Sequence, residues 1–263
     1  MSLTFSKQET PPIAKCVYPH DKKKKSKLVY ISEDDNGPNE MVAESDSSFF
    51  PLPYILNNQR DALFISAPSG SGKSVFAGQY IQELQKHKEF KNLPVYLFTS
   101  NFEEKQTKQG ISIETDDPAY KNIKNLKVIN IYHPNLVKLQ INELSNSILL
   151  FDDFDMISNK NILSYLRNLL KQALEVGRKK TISVVAIVHD TLQGNHTKSM
   201  IFEANSVVIY PKYNVRTAKQ FAKNYLGWSK DQLDDIKNYK GRWMFVRKSV
   251  PLYKITEDKI ELL

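Results

Sequence analysis

The residues best suited to chemistry lie in one string, Ala67-Pro68-Ser69-Gly70-Ser71-Gly72-Lys73-Ser74. Its spacing is that of a phosphate-binding P-loop with alanine at the usual first glycine, where a small residue is what the turn requires. Backbone N–H groups of such a turn, with the N-terminus of the following helix, form a concave positive site suited to nucleotide phosphates. Lys73 is then expected to reach the β- and γ-phosphates, the Ser74 hydroxyl to bind Mg²⁺, and Val75 to close the binding run. The competing reading is a Ser/Gly-rich surface turn that happens to contain Gly-Lys-Ser. The flanks argue against it: Asp61 to Ser66 reads as a short buried strand and Val75 to Lys86 as a helix, the context the motif requires. The expected ligand is a nucleoside triphosphate.

A second element, Ile148-Leu149-Leu150-Phe151-Asp152-Asp153, is a buried strand ending in two acids, the form of a Walker B motif. Asp152 is expected to hold Mg²⁺, usually through water, from a strand beside the P-loop strand, and Asp153 to orient or deprotonate the attacking water. Two carboxylates at the end of a buried strand are otherwise costly to desolvate. Asp155 reads as a third, solvated acid. The run Ile182 to Val188 is the most β-branched of the chain and ends at His189. That histidine reads either as a sensor of the γ-phosphate that positions water or as a plain strand-end residue. The string Asn159-Lys160-Asn161-Ile162 lacks the acid of a guanine-selecting motif, which favours ATP over GTP.

These groups need a scaffold. Strand-like runs at Pro94 to Ser100, Lys127 to Ile131, Ile148 to Phe151, Ile182 to Val188 and Val207 to Tyr210 alternate with helical patterns. The pattern predicts an α/β P-loop NTPase fold, a central and mostly parallel sheet flanked by helices. The separation of Lys73 from Asp152 points to the RecA-like (ASCE) division, in which a strand is inserted between the two motif strands. Asn161 to Val176 carries apolar residues at helical spacing, with Gly177 as its expected C-cap. Leu136 to Leu144 reads as a short helix, and Asn101 to Asn125 as a helical or irregular insertion. The expected organisation is a largely flexible arm over 1–48 with one strand-like run at Lys27 to Ile31, an ATPase core over 49–212, and helices with a strand pair over 213–263. The arm's Lys22-Lys23-Lys24-Lys25 run suits phosphate contact, targeting, or simple solvation.

A net charge of +8 favours an anionic partner such as nucleic acid, or serves solubility alone. Cys16 is the single cysteine, which leaves no internal disulfide or thiolate metal site and suggests a reducing intracellular setting. The apolar runs are too short to span a bilayer, and no signal pattern opens the chain, so no membrane insertion is expected.

Taken together, Ser66 to Ser74, Ile148 to Asp153 and Gly177-Arg178-Lys179-Lys180-Thr181-Ile182-Ser183 resemble the HerA/FtsK superfamily, and within it the genome-packaging ATPases of poxviruses and other large DNA viruses. The resemblance spans about Phe49 to Leu263. It departs from the family at Asp153, where glutamate is more usual, and at His189, where glutamine is. It implies a homo-oligomeric ring, commonly of six, that hydrolyses ATP to move double-stranded DNA without sequence preference. Capsid or vertex proteins and a separate nuclease would be its partners, and host cytoplasm, a viral factory or the virion its location. It also implies an arginine that completes a neighbour's site. Arg178 is the candidate by motif position, with Arg167 and Arg216 as alternatives, although Arg178 could equally cap the preceding helix. Lys179, Lys180, Lys198 and Lys212 are candidate DNA contacts. Two other functions are consistent with a P-loop: a small-molecule or nucleoside kinase, and a nucleotide-gated assembly factor.

Overall fold

The computed structural model describes residues 1–263 apart from 22, 57–59, 108–109 and 190–194, so Lys22 of the lysine run lies outside the described residues. The chain forms two compact units, one of Met1–Asn58 with Asn205–Leu263 and the other of Gln59–Ala204. The expected boundaries at 48/49 and 212/213 therefore fall elsewhere, and the nucleotide motifs share one continuous segment.

The first unit opens with short strands β1 (Ser2–Thr4), β2 (Ala14–Val17), β3 (Lys27–Ser32), β4 (Glu40–Val42) and β5 (Ser48–Pro51). Strands β1, β3, β2 and β5 pair in that order, all antiparallel. Residues 1–48 thus hold four complete strands where a largely flexible arm with one strand-like run is expected. Three of them have three or four residues, too short to show a period-two pattern.

The second unit carries β6 (Ala62–Ser66), α1 (Lys73–Leu84), β7 (Val95–Thr99), β8 (Glu103–Thr107), β9 (Gly110–Glu114), β10 (Leu126–Asn130), β11 (Ser147–Asp152), α2 (Lys160–Val176), β12 (Ile182–Val188) and α3 (Asn195–Glu203). Its sheet runs β10-β7-β11-β12-β6, and every pairing is parallel. The central strands are buried at every position, which is why β11 and β12 read as unbroken apolar runs. Helix α1 packs on β6 and β12, and α2 on β12. The expected insertion of a strand between the two motif strands is present, and the inserted strand is β12. Asp152 is therefore one strand removed from the P-loop strand, and His189 lies between them. The stretch expected as a helical or irregular insertion contains the antiparallel hairpin β8–β9, and the expected helix at Leu136 to Leu144 is two 3₁₀ turns.

The chain returns to the first unit with β13 (Ser206–Ile209), α4 (Val215–Phe221), α5 (Lys230–Asn238), β14 (Met244–Arg247), β15 (Tyr253–Thr256) and β16 (Lys259–Leu262). Strands β13, β14, β15, β16 and β4 pair antiparallel in that order. Further backbone bonds from Ala43 to Asp258, Phe49 to Glu257 and Leu262 to Asn39 join the N-terminal segment to these last strands. Among the described residues, no helix is long and apolar enough to cross a membrane.

Candidate active site

The turn from β6 into α1 has the backbone its sequence predicts. Gly70 and Gly72 adopt φ of 75° and 88°, a region that glycine enters without steric cost. No side chain caps α1 and no acid occupies its first turn, so the helix presents its N-terminal N–H groups and partial positive charge to the loop. Ala67 is buried and donates its N–H to the Val188 carbonyl at 3.2 Å, which ties the loop's start to the end of β12. Pro68, Ser69 and Gly70 are exposed, whereas Ser71 is buried and its hydroxyl oxygen has no hydrogen-bond partner among the described residues. The Val75 side chain is exposed.

Lys73, the first residue of α1, is buried. Its Nζ lies 2.9 Å from Nε2 of His189 and 3.2 Å from Oδ1 of Asp153. The same histidine nitrogen is 3.0 Å from Ser69 Oγ and 3.4 Å from Asp153 Oδ1. The ends of three segments (the P-loop, β11 and β12) therefore meet around one ammonium. Asp153 reaches it from a left-handed backbone with φ of 53°, which is strained for a residue with a side chain and typical of functional sites.

Asp152 ends β11 and is buried. Its Oδ2 accepts from Ser74 Oγ at 3.3 Å and from the Tyr120 hydroxyl, while its Oδ1 is buried with no hydrogen-bond partner among the described residues. Burial, then the charge of Asp153, raises the Asp152 carboxyl to about 6; the Tyr120 hydrogen bond and Lys73 oppose the shift. A hard divalent cation fits this donor set. Mg²⁺ takes few protein oxygens plus substrate phosphates, and an orphaned carboxylate oxygen beside a serine hydroxyl supplies them.

Two members of the site escape the sequence reading. Tyr120 is buried in the turn before β10, in a stretch without any motif. Burial and the neighbouring Asp152 charge push its phenol well above the usual range, so it stays a donor. Gly78 of α1 makes room for that turn: a Cβ there would lie 2.1 Å from the Ala119 carbonyl oxygen. Asp155, expected as a solvated acid, has a side chain only 2% exposed. It accepts the His189 backbone N–H at 2.9 Å and faces Nδ1 of the ring at 3.4 Å. The reason is the 3₁₀ turn Phe154–Met156, whose buried Phe154 draws the segment inward.

Gly177 follows α2 but adopts φ of −59°, not the left-handed form of a glycine cap. The chain continues as a 3₁₀ turn to Lys180, and Thr181 takes the left-handed position. The backbone at 177 is crowded: a Cβ there would lie 2.9 Å from Nη1 of Arg60 and 3.2 Å from the Ile182 carbonyl oxygen, so these neighbours would have to shift. Arg60 is buried and donates to the carbonyls of Ala173 and Leu174, so it fills the helix-capping role that Arg178 could have had. Arg178 is exposed and forms no hydrogen bond or ion pair among the described residues. Of the alternatives, Arg167 is half-buried on α2 and Arg216 is exposed on α4. Lys179 and Lys198 are exposed, the latter with Nζ 5.8 Å from the centre of the Phe202 ring, while Lys180 is half-buried. Lys212 is exposed and belongs to the other unit.

No protein-family model matches the sequence. The chain is 29% identical over 245 residues to uncharacterized protein V3 of the Sputnik virophage, covering 91% of each chain. Among solved structures it is similar to the genome packaging NTPase B204 of Sulfolobus turreted icosahedral virus 2 in complex with ATPγS, at 12% identity and a TM-score of 0.47, over 77% of this chain and 99% of that one. The AMPPCP complex of that protein gives 12% identity and a TM-score of 0.45, over 77% of this chain and 100% of that one. The pCW3 conjugation coupling protein TcpA with ATPγS gives 14% identity and a TM-score of 0.48, over 88% of this chain and 73% of that one.

Proposed function

We propose that the chain is an ATPase that moves double-stranded DNA, as a subunit of a ring that packages a viral genome. The observation that carries the hydrolytic part is the meeting of Lys73, Asp153 and His189, with Ser74 and Asp152 paired beside them. The glycine turn and α1 would cradle the phosphates, and Ser74 with Asp152 would hold Mg²⁺, which supplies charge neutralisation on the phosphate oxygens. When Lys73 turns to the phosphates, Asp153 and His189 lose their partner and become available to orient water. Arg178, freed from capping by Arg60, is the candidate to reach a neighbouring subunit's site, where such an arginine is worth roughly 10³ to 10⁵ in turnover.

The DNA part is supported by the HerA/FtsK resemblance of the three sequence segments and by a net charge of +8. The ring, its capsid or vertex contacts, a separate nuclease, and action in the host cytoplasm or a viral factory follow from the same resemblance.

The test is steady-state ATP hydrolysis with and without duplex DNA at two salt concentrations, with Lys73→Ala as the control. Turnover that requires Lys73 and rises with DNA of any sequence, more at low salt, is the expected result. Hydrolysis indifferent to DNA would remove the translocase assignment, and full turnover by Lys73→Ala would remove the site assignment.

A further inference from the structure

One face of α2 forms a wall of a cavity of about 820 Å³ that the nucleotide site does not use. Lys160, Arg167 and Lys171 line it, with Ser164 and Asn168 between them and Met200 of α3 on its other side. The spacings of four, three and four residues put the cations and the serine on one side of the helix. Lys160, Ser164, Asn168 and Lys171 are exposed. Among the described residues no acid lines the cavity, and the carboxylate of α2, Glu175, lies 3.7 Å from Lys171 at its edge. Leu163 and Met200 form the cavity's apolar lining, and the row of cations and neutral hydrogen-bond donors beside them is complementary to a chain of phosphates.

We infer that this groove holds the phosphate backbone of duplex DNA, an inference that rests on the translocase reading above. The twelve residues from Lys160 to Lys171 span about 16 Å of helix, long enough to meet several successive phosphates of one strand. Contacts of this kind fix position and carry no sequence information. The row starts seven positions after Asp153, so the element that would hold DNA follows directly on the one that faces the nucleotide.

The experiment is fluorescence anisotropy of a labelled random-sequence duplex across a salt series, for the full chain and two double variants. Lys160→Ala with Lys171→Ala removes charge from the groove. Lys230→Ala with Lys237→Ala removes the same charge from exposed positions on α5. The groove variant should bind about tenfold more weakly, with its logarithmic salt slope shallower by about 1.8, while nucleotide binding without DNA stays unchanged. The α5 variant should bind like the unaltered chain. Equal behaviour of the two variants would overturn the groove while leaving DNA binding itself standing. No duplex binding by the unaltered chain would overturn both the groove and the translocase reading.

Discussion

Asp155 grips His189 at two points, accepting its backbone N–H at 2.9 Å and facing its ring Nδ1 at 3.4 Å. The other ring nitrogen is thereby aimed at Lys73. An acceptor at Nδ1 selects the tautomer that carries its proton there, leaving Nε2 as an acceptor for the ammonium or for water. Asp155→Ala should lower kcat for ATP hydrolysis on the order of 10- to 100-fold through misplacement of the ring, with KM changed little. Asp155→Asn, which keeps an oxygen acceptor, should fall between. A KM defect with kcat intact would show that His189 is not positioned by this carboxylate.

Tyr120 bears on the metal site in a comparable way. Its hydroxyl fixes Oδ2 of Asp152 and leaves Oδ1 open. Tyr120→Phe should raise the Mg²⁺ concentration needed for half-maximal turnover about tenfold, with much of kcat regained at saturating Mg²⁺. It should also cost roughly 1 to 3 kcal/mol in stability from the lost charge-assisted bond. A metal titration superimposable on that of the unaltered chain would exclude the role.

The raised carboxyl of Asp152 makes a pH prediction whose sign is opposite to that of most salt-bridged acids. Between its ordinary value of 3.8 and about 6, the folded chain keeps a proton that the unfolded chain has released. Stability from this group is therefore greatest below pH 4 and declines as pH rises to about 6, by on the order of 3 kcal/mol. Asp152→Asn should gain on the unaltered chain across that window in denaturant titrations without Mg²⁺. A constant difference from pH 4 to 7 would contradict the assignment.

Gly78→Ala should destabilise the protein, although alanine is the better helix former by about 1 kcal/mol. The added Cβ would meet a backbone carbonyl oxygen at 2.1 Å, so the turn bearing Tyr120 must move, at a cost of about 1 to 3 kcal/mol or more. Chemical denaturation measures the balance, and a neutral or stabilising result would mean that the turn is not held against α1.

Much of this site can be read from the chain because its determinants are local. The P-loop glycines, the β6–α1 flanks and the apolar run of β11 ending in Asp152 declare themselves within a few residues. The residues that the sequence hides act across the fold. Tyr120 meets Asp152 from 32 positions away and has no motif around it. Arg60 reaches the end of α2 across 113 positions, so the capping partner could not be told from the Gly177-Arg178 string alone. Asp155 looks like a loop acid until the burial of Phe154 is known. The strands of residues 1–48 escape notice because short segments show no periodicity and their partners include β16, more than 200 positions away.

The division of the first unit into two sequence segments sets a timetable for biosynthesis. Strand β4 can pair with β16 only after the intervening 146 residues, 59 through 204, have been made and the final strands have followed. At roughly 5 to 20 residues per second, β4 waits about ten seconds or more for its partner. The P-loop segment, being continuous, can complete its own parallel sheet in that interval. The order of maturation is thus nucleotide pocket first, with closure of the β-rich unit coupled to the last residues of synthesis.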